Sequence, residues 1–198
     1  RRGADMASNN ARLKITFNSP TVIGFTFLCF LAMVLNILTD GETNRTIFIT
    51  YHSSLKDPMT YLRLVTYVLG HANWSHFLGN ISYILLLGPT LEDRYGSRNV
   101  MLTILVTAII TGLINYIFFP ASALCGASGV VFAFILLISF TGFRRHEIPI
   151  TFILVTIIFL GQQIYESMTV ESNISYMAHI VGGVIGALMG YIFNRKRK

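Results

Sequence analysis

Cys125-Gly126-Ala127-Ser128-Gly129 opens a stretch that carries no charge until Arg144. From Ser128 to Gly142 the residues are almost all apolar, which reads as a membrane helix of about fifteen residues, short for a bilayer. Such a helix must start below one surface or thin the bilayer around it. A serine set among small residues at the mouth of that helix raises the question of a base. His179 is the candidate, inside the apolar run Met177-Ala178-His179-Ile180-Val181-Gly182-Gly183.

The rest of the chain supports a membrane setting. Apolar residues make up 53% of the 198 and charged residues only 12%, unlike a soluble domain. The expected fold class is an all-α membrane protein, a six-helix transmembrane bundle. Its spans are expected at about 21–39, 75–90, 100–119, 128–142, 148–164 and 176–193. Residues 1–20 form a polar N-terminal segment, and 194–198 a basic tail. The connection from Asp40 to Gly70 is too long for a tight turn. Within it Tyr61, Leu64, Val65, Val68 and Leu69 recur at helical spacing, which predicts an amphipathic helix at the membrane interface. Glu92-Asp93-Arg94-Tyr95-Gly96-Ser97-Arg98 reads as a charged turn between spans two and three. Cys29 and Cys125 have no metal-like spacing and read as small buried hydrophobes. No cleavable signal peptide is visible, and a start at Arg1 without Met leads us to expect a fragment.

Basic residues set the orientation. With both termini in the cytoplasm, 12 of the 15 Lys and Arg fall on that side, and only Arg45, Lys56 and Arg63 lie outside. The net charge of +6 is then a topology signal with anionic-lipid contact as a by-product, and it implies no nucleic acid. Spans two, four and six all run from outside to inside, so their N-terminal ends share the outer leaflet. Ser128 opens span four, His179 is the fourth residue of span six, and His76 and Asn80 lie in the first turns of span two. No Asp or Glu lies within a span core, which disfavours a proton-coupled transporter.

Gly182, Gly186 and Gly190 recur every fourth residue, with Gly126, Gly129 and Ala133 on the partner segment. Small residues at that spacing let helix backbones touch, the contact a serine and a histidine on neighbouring helices need to reach hydrogen-bond range. A lone serine in a membrane helix ordinarily bonds back to its own turn. Ionisable groups inside a span cost about 2.5 kcal/mol or more on insertion scales and tend to be functional, and a lone intramembrane histidine reads equally as structural or as a proton relay. His76 and Asn80 share one helix face. They read either as an interhelical clasp or, with the Ser128 N–H, as an oxyanion hole. His71 reads as structural, tying the interfacial loop to span two. His52 and His146 are assigned no role. A metal site from His71, His76 and His179 is disfavoured, because no His-Glu-x-x-His pattern or carboxylate accompanies them. No cofactor is expected.

Together these residues resemble the rhomboid intramembrane serine proteases of the compact six-span bacterial type. The likeness rests on His71-x4-His76-x3-Asn80, Glu92-x3-Gly96-Ser97, Gly126-Ala127-Ser128-Gly129 and Ala178-His179-x2-Gly182-x3-Gly186. It implies that Ser128 is the nucleophile and His179 the general base. His76, Asn80 and the Ser128 N–H would form the oxyanion hole, and Gly126, Gly129, Phe132, His71, Gly182 and Gly186 would support the site. Span five and the loop from about Gln163 to Ser175 would act as gate and cap. Substrates would be single-span membrane proteins cut near the outer face of a bacterial inner membrane. A non-proteolytic, client-binding relative is the alternative. Two residues depart from the family pattern: Leu62 replaces the usual Trp before Arg63, and Phe132 stands where many members have Tyr.

Overall fold

A computed structural model describes residues 16–142, 147–169 and 176–195. The expected roles of Arg144, Arg145, His146 and the last three tail residues fall outside them. Among the described residues, seven α-helices follow in order: α1 (Pro20–Leu38), α2 (Pro58–Thr66), α3 (Trp74–Tyr95), α4 (Ser97–Phe118), α5 (Ser128–Ser139), α6 (Ile150–Thr169) and α7 (Tyr176–Arg195). Among the described residues there is no β-strand, and Thr50 and Leu124 form an isolated antiparallel bridge. α1, α4 and α7 are each long and apolar enough to cross a membrane, and α5 with its 3₁₀ extension to Gly142 is a shorter apolar helix.

Several boundaries differ from the expected ones, each for a local reason. The charged stretch after span two is not a turn. α3 continues through Glu92, Asp93 and Arg94, and the chain breaks at Gly96 alone, where φ is +84°. Glu92 explains the continuation. Its carboxylate turns back to accept from the Thr21 and Val22 amides at 2.9 and 3.0 Å. Those are unpaired donors at the start of α1, and a carboxylate suits them by hydrogen bonding and by the helix dipole. The interfacial helix begins earlier than its apolar spacing suggests, because the Asp57 carboxylate caps it through the Met59 amide. It ends at Thr66, so Val68 and Leu69 lie beyond it, and Tyr61 faces outward. Gln163 to Thr169, expected as loop, extend α6.

α5 occupies the centre. Gly129, Val130, Val131, Ala133, Phe134, Leu136 and Leu137 are all buried. Its most extensive partner is α7. A methyl group on Gly182 would overlap the Gly129 carbonyl, and one on Gly186 the Ala133 carbonyl. The two backbones therefore touch over two turns, the approach that small-residue repeats allow. The outer helices present Leu28, Leu31, Leu86, Ile109, Ile157 and Ile158 outward, as a lipid-facing surface does.

The Arg63 side chain is buried and binds the loop ahead of its own helix. Nε donates to the Thr46 carbonyl at 3.0 Å, Nη2 pairs with Asp57 at 2.9 Å, and the guanidinium stands 4.7 Å from the Tyr51 ring centre. Leu62 is exposed and takes no part in this anchoring.

The contact between α5 and α7 yields a direct test. Gly186→Val should lower stability in detergent by about 2 kcal/mol or more, the scale of core overpacking. Gly24→Ala, where a methyl would meet nothing within 4 Å, should leave the thermal midpoint unchanged or slightly raised, since Ala favours a helix interior over Gly. Equal midpoints for both variants would contradict the close approach.

Candidate active site

The segment between α4 and α5 is irregular, yet it is held at several points. Asn115 Nδ2 donates to the Ser122 carbonyl at 3.0 Å, Thr50 and Leu124 exchange backbone hydrogen bonds, and the Gly126 amide donates to the Tyr67 carbonyl at 2.9 Å. Gly126 has φ +127°, a region that L side chains rarely adopt. A Cβ there would sit 2.6 Å from Cε1 and 2.8 Å from Nε2 of His76, and 3.5 Å from Nδ2 of Asn80. The missing side chain thus lets the His76 ring and the Asn80 amide rest against the loop two residues ahead of Ser128.

Ser128 begins α5 and is half-buried. His179 lies one turn into α7, next to Ala178. A Cβ on Gly129 would lie 3.3 Å from the Ala178 carbonyl, so the chain neighbours of Ser128 and His179 are in backbone contact. The Phe132 ring lies against the His179 ring, with centres 4.4 Å apart and planes at 32°. An aromatic ring packed against an imidazole restricts the angle that the imidazole takes.

These residues line one cavity of about 940 Å³. Its walls include His76 and Asn80 from α3, Ala123 to Gly126 from the loop, Ser128 and Phe132 from α5, Val155 and Ile158 from α6, and His179 from α7. Of the residues expected at the site, Ser128, His179, His76, Asn80, Gly126, Gly129 and Phe132 all meet there. Gly182 and Gly186 do not line it; they set the separation of α5 and α7. Asn80 is buried, and its Nδ2 has no hydrogen-bond partner. A buried donor without a partner is costly, and this one belongs to a residue of the cavity wall. Cys125 also lines the cavity, but burial pushes its thiol up to about 12, which keeps it protonated and a poor nucleophile.

His71 stands behind His76, with ring centres 5.2 Å apart. Its carbonyl accepts from Asn44 Nδ2 at 3.0 Å, which ties the interfacial loop to the start of α3. Nδ1 lies 3.2 Å from the Leu69 carbonyl, which can only accept, so Nδ1 carries the proton of the neutral ring. Burial, and then the nearby His76, push His71 down to about 4.

Two features escape the sequence reading. Tyr67, whose carbonyl holds Gly126, falls off the predicted apolar face of its helix. On α4, Thr103, Thr107, Thr111 and Asn115 form a buried polar stripe at four-residue spacing. Thr107 Cγ2 would stand 3.7 Å from a Cβ on Gly129, and its hydroxyl is buried without a partner. That spacing was legible in an otherwise apolar helix.

A family model described as the rhomboid domain matches residues 58–196. The chain belongs to the rhomboid family. It is similar to Rhomboid-related protein 2 of Mus musculus, 30% identical over 161 residues, covering 69% of this chain and 52% of that protein. It is also similar to the putative rhomboid protease YdcA of Bacillus subtilis, 30% identical over 138 residues, covering 69% of each. Rhomboid protease GlpG of Haemophilus influenzae is 28% identical over 141 residues, covering 69% of this chain and 71% of that one. The chain spans about half the length, or less, of several curated relatives that it matches. As a rhomboid with long apolar helices, it is an integral, multi-pass membrane protein.

The neutral state of His71 gives this rhomboid a pH signature. Between about pH 6.5 and 4 an unfolded histidine takes up a proton that folded His71 refuses. Its contribution to stability is therefore complete above about 6.5 and is lost as pH falls toward 4. Thermal midpoints in micelles should fall across that window, and His71→Asn should flatten the fall. Identical slopes for the two proteins would contradict a buried neutral ring.

Proposed function

We propose that this rhomboid is an intramembrane serine endopeptidase that cuts single-span membrane proteins near the outer face of the bilayer. Six of its helices, α1 and α3 to α7, are read as six spans with both termini in the cytoplasm. One observation carries the reading: Ser128 and His179 border a single cavity, on two helices whose backbones touch beside them. Kinship with proteins named as rhomboid proteases supports it.

Ser128 Oγ attacks the scissile carbonyl carbon and its proton passes to His179. Negative charge collects on the carbonyl oxygen, where Asn80 Nδ2, His76 and the Ser128 N–H donate to it. The Ser128 amide is also one of the unpaired donors at the start of α5, where the helix dipole favours an anion. The tetrahedral adduct collapses as His179 returns the proton to the departing amine, leaving an ester on Ser128. Water, deprotonated by His179, then hydrolyses that ester and frees Ser128. No carboxylate orients the imidazole in this scheme; Phe132 packing takes that role, which predicts slow turnover beside enzymes with a full triad.

Cleavage of a single-span substrate in proteoliposomes tests the assignment. Ser128→Ala and His179→Ala should each abolish cleavage while leaving the thermal midpoint close to that of the parent; persistence in either variant would end the assignment. Asn80→Ala should lower kcat about 100-fold, the usual effect of removing one oxyanion donor, with little change in KM. A loss confined to KM would instead make Asn80 a substrate-binding group.

A further inference from the structure

The loop between α1 and α2 reaches the nucleophile's own segment at one place. The Thr50 amide donates to the Leu124 carbonyl at 3.0 Å, and the Leu124 amide donates back to the Thr50 carbonyl at 2.8 Å. Both residues are almost wholly buried, and Leu124 is four positions ahead of Ser128 on the cavity wall. A second fastening lies just beyond. The His52 ring stacks on Tyr116 with centres 4.7 Å apart, its Nδ1 lies 3.1 Å from the Tyr116 carbonyl, and the Tyr116 hydroxyl donates to the Ser53 carbonyl. Tyr116 is in the last turn of α4, which feeds the segment that carries Ser128. Residues 50–53 therefore brace both ends of that irregular segment.

We propose that residues 50–53 position Ser128, Thr50 acting through Leu124 and His52 and Ser53 through Tyr116, so that the interfacial loop sets how well the nucleophile and its amide are placed for reaction. The proposal rests on the assignment of Ser128 as nucleophile. The Ser128-bearing segment has no helix or sheet of its own between Phe119 and Ala127, so its placement depends on such outside bonds. Reaction rates are sensitive to this placement, because misplacing a reacting group by about 1 Å costs on the order of 100-fold. The brace also gives the loop a means of transmitting its own setting to the site. Arg63 binds Thr46 and Tyr51 on that loop, immediately before and after the Ile47 to Thr50 stretch.

Thr50→Pro removes the donated hydrogen bond. Ile49 already has φ −125° and ψ 126°, the extended conformation that a residue before proline prefers. Thr50→Val keeps both backbone bonds and serves as the control. In proteoliposomes Thr50→Pro should lower kcat about tenfold, with KM within about twofold, and slow the labelling of Ser128 by a small fluorophosphonate by a similar factor. Thr50→Val should match the parent in all three. A folded Thr50→Pro protein with parental kcat and labelling rate, or one that loses only KM, would overturn the proposal. If Thr50→Pro does not fold, His52→Ala combined with Tyr116→Phe decides. That pair should lower kcat and labelling together, and unchanged values would overturn the proposal. Absence of Ser128 labelling in the parent protein would instead sink the assignment on which the proposal rests.

Discussion

The backbone contact between α5 and α7 is the constraint on which the site depends. Gly182 sits on the Gly129 carbonyl and Gly186 on that of Ala133, with no side chain between the helices. Any larger residue at those points would push α7 outward and carry His179 away from Ser128. In lipid the hydrophobic effect does not draw helices together, so such van der Waals contact is what holds them. One row of small residues thus serves stability and the geometry of a candidate reaction at once.

Around that contact, polar groups do the fastening at the ends of helices. Glu92 closes the start of α1 from the far end of α3. At the other end of α5 and α7, Asn194 donates to the Tyr95 hydroxyl and the Phe140 carbonyl at 3.0 and 3.3 Å, joining α7 to α3 and to the end of α5. The loop between α1 and α2 depends on buried Arg63 and Asn44 rather than on apolar packing alone. Buried donors and acceptors that find each other across many residues specify a single arrangement, because each one left alone is costly. Asn80 Nδ2 is one of several buried polar atoms left without a partner among the described residues, and on the cavity wall it suits the proposed oxyanion role.

Much of this was legible in the residues themselves. Uncharged runs located the long helices to within a few residues. The four-residue glycine repeat marked the α5–α7 contact, and Ser128, His179, His76 and Asn80, singled out from the residues, line one cavity. What the sequence left unread came from individual hydrogen bonds, which leave no trace in an apolar pattern. Glu92 looked like part of a charged turn because its partners are 70 residues away in the chain. Tyr67 acts through its carbonyl, which no side-chain pattern reveals. The start of α2 is fixed by the Asp57 cap, while apolar spacing points to residues further along. Thr50 and Leu124 pair as backbone only, across irregular segments with no strand signature to announce them.

The most direct measurement is to treat the membrane-reconstituted protein with a small fluorophosphonate and locate the adduct by tandem mass spectrometry, in the parent and in His179→Ala. The expected result is a single phosphonyl group on Ser128 that is absent from the variant. An adduct on another residue, or one on Ser128 that forms equally fast without His179, would contradict a serine activated by its neighbour across the α5–α7 contact.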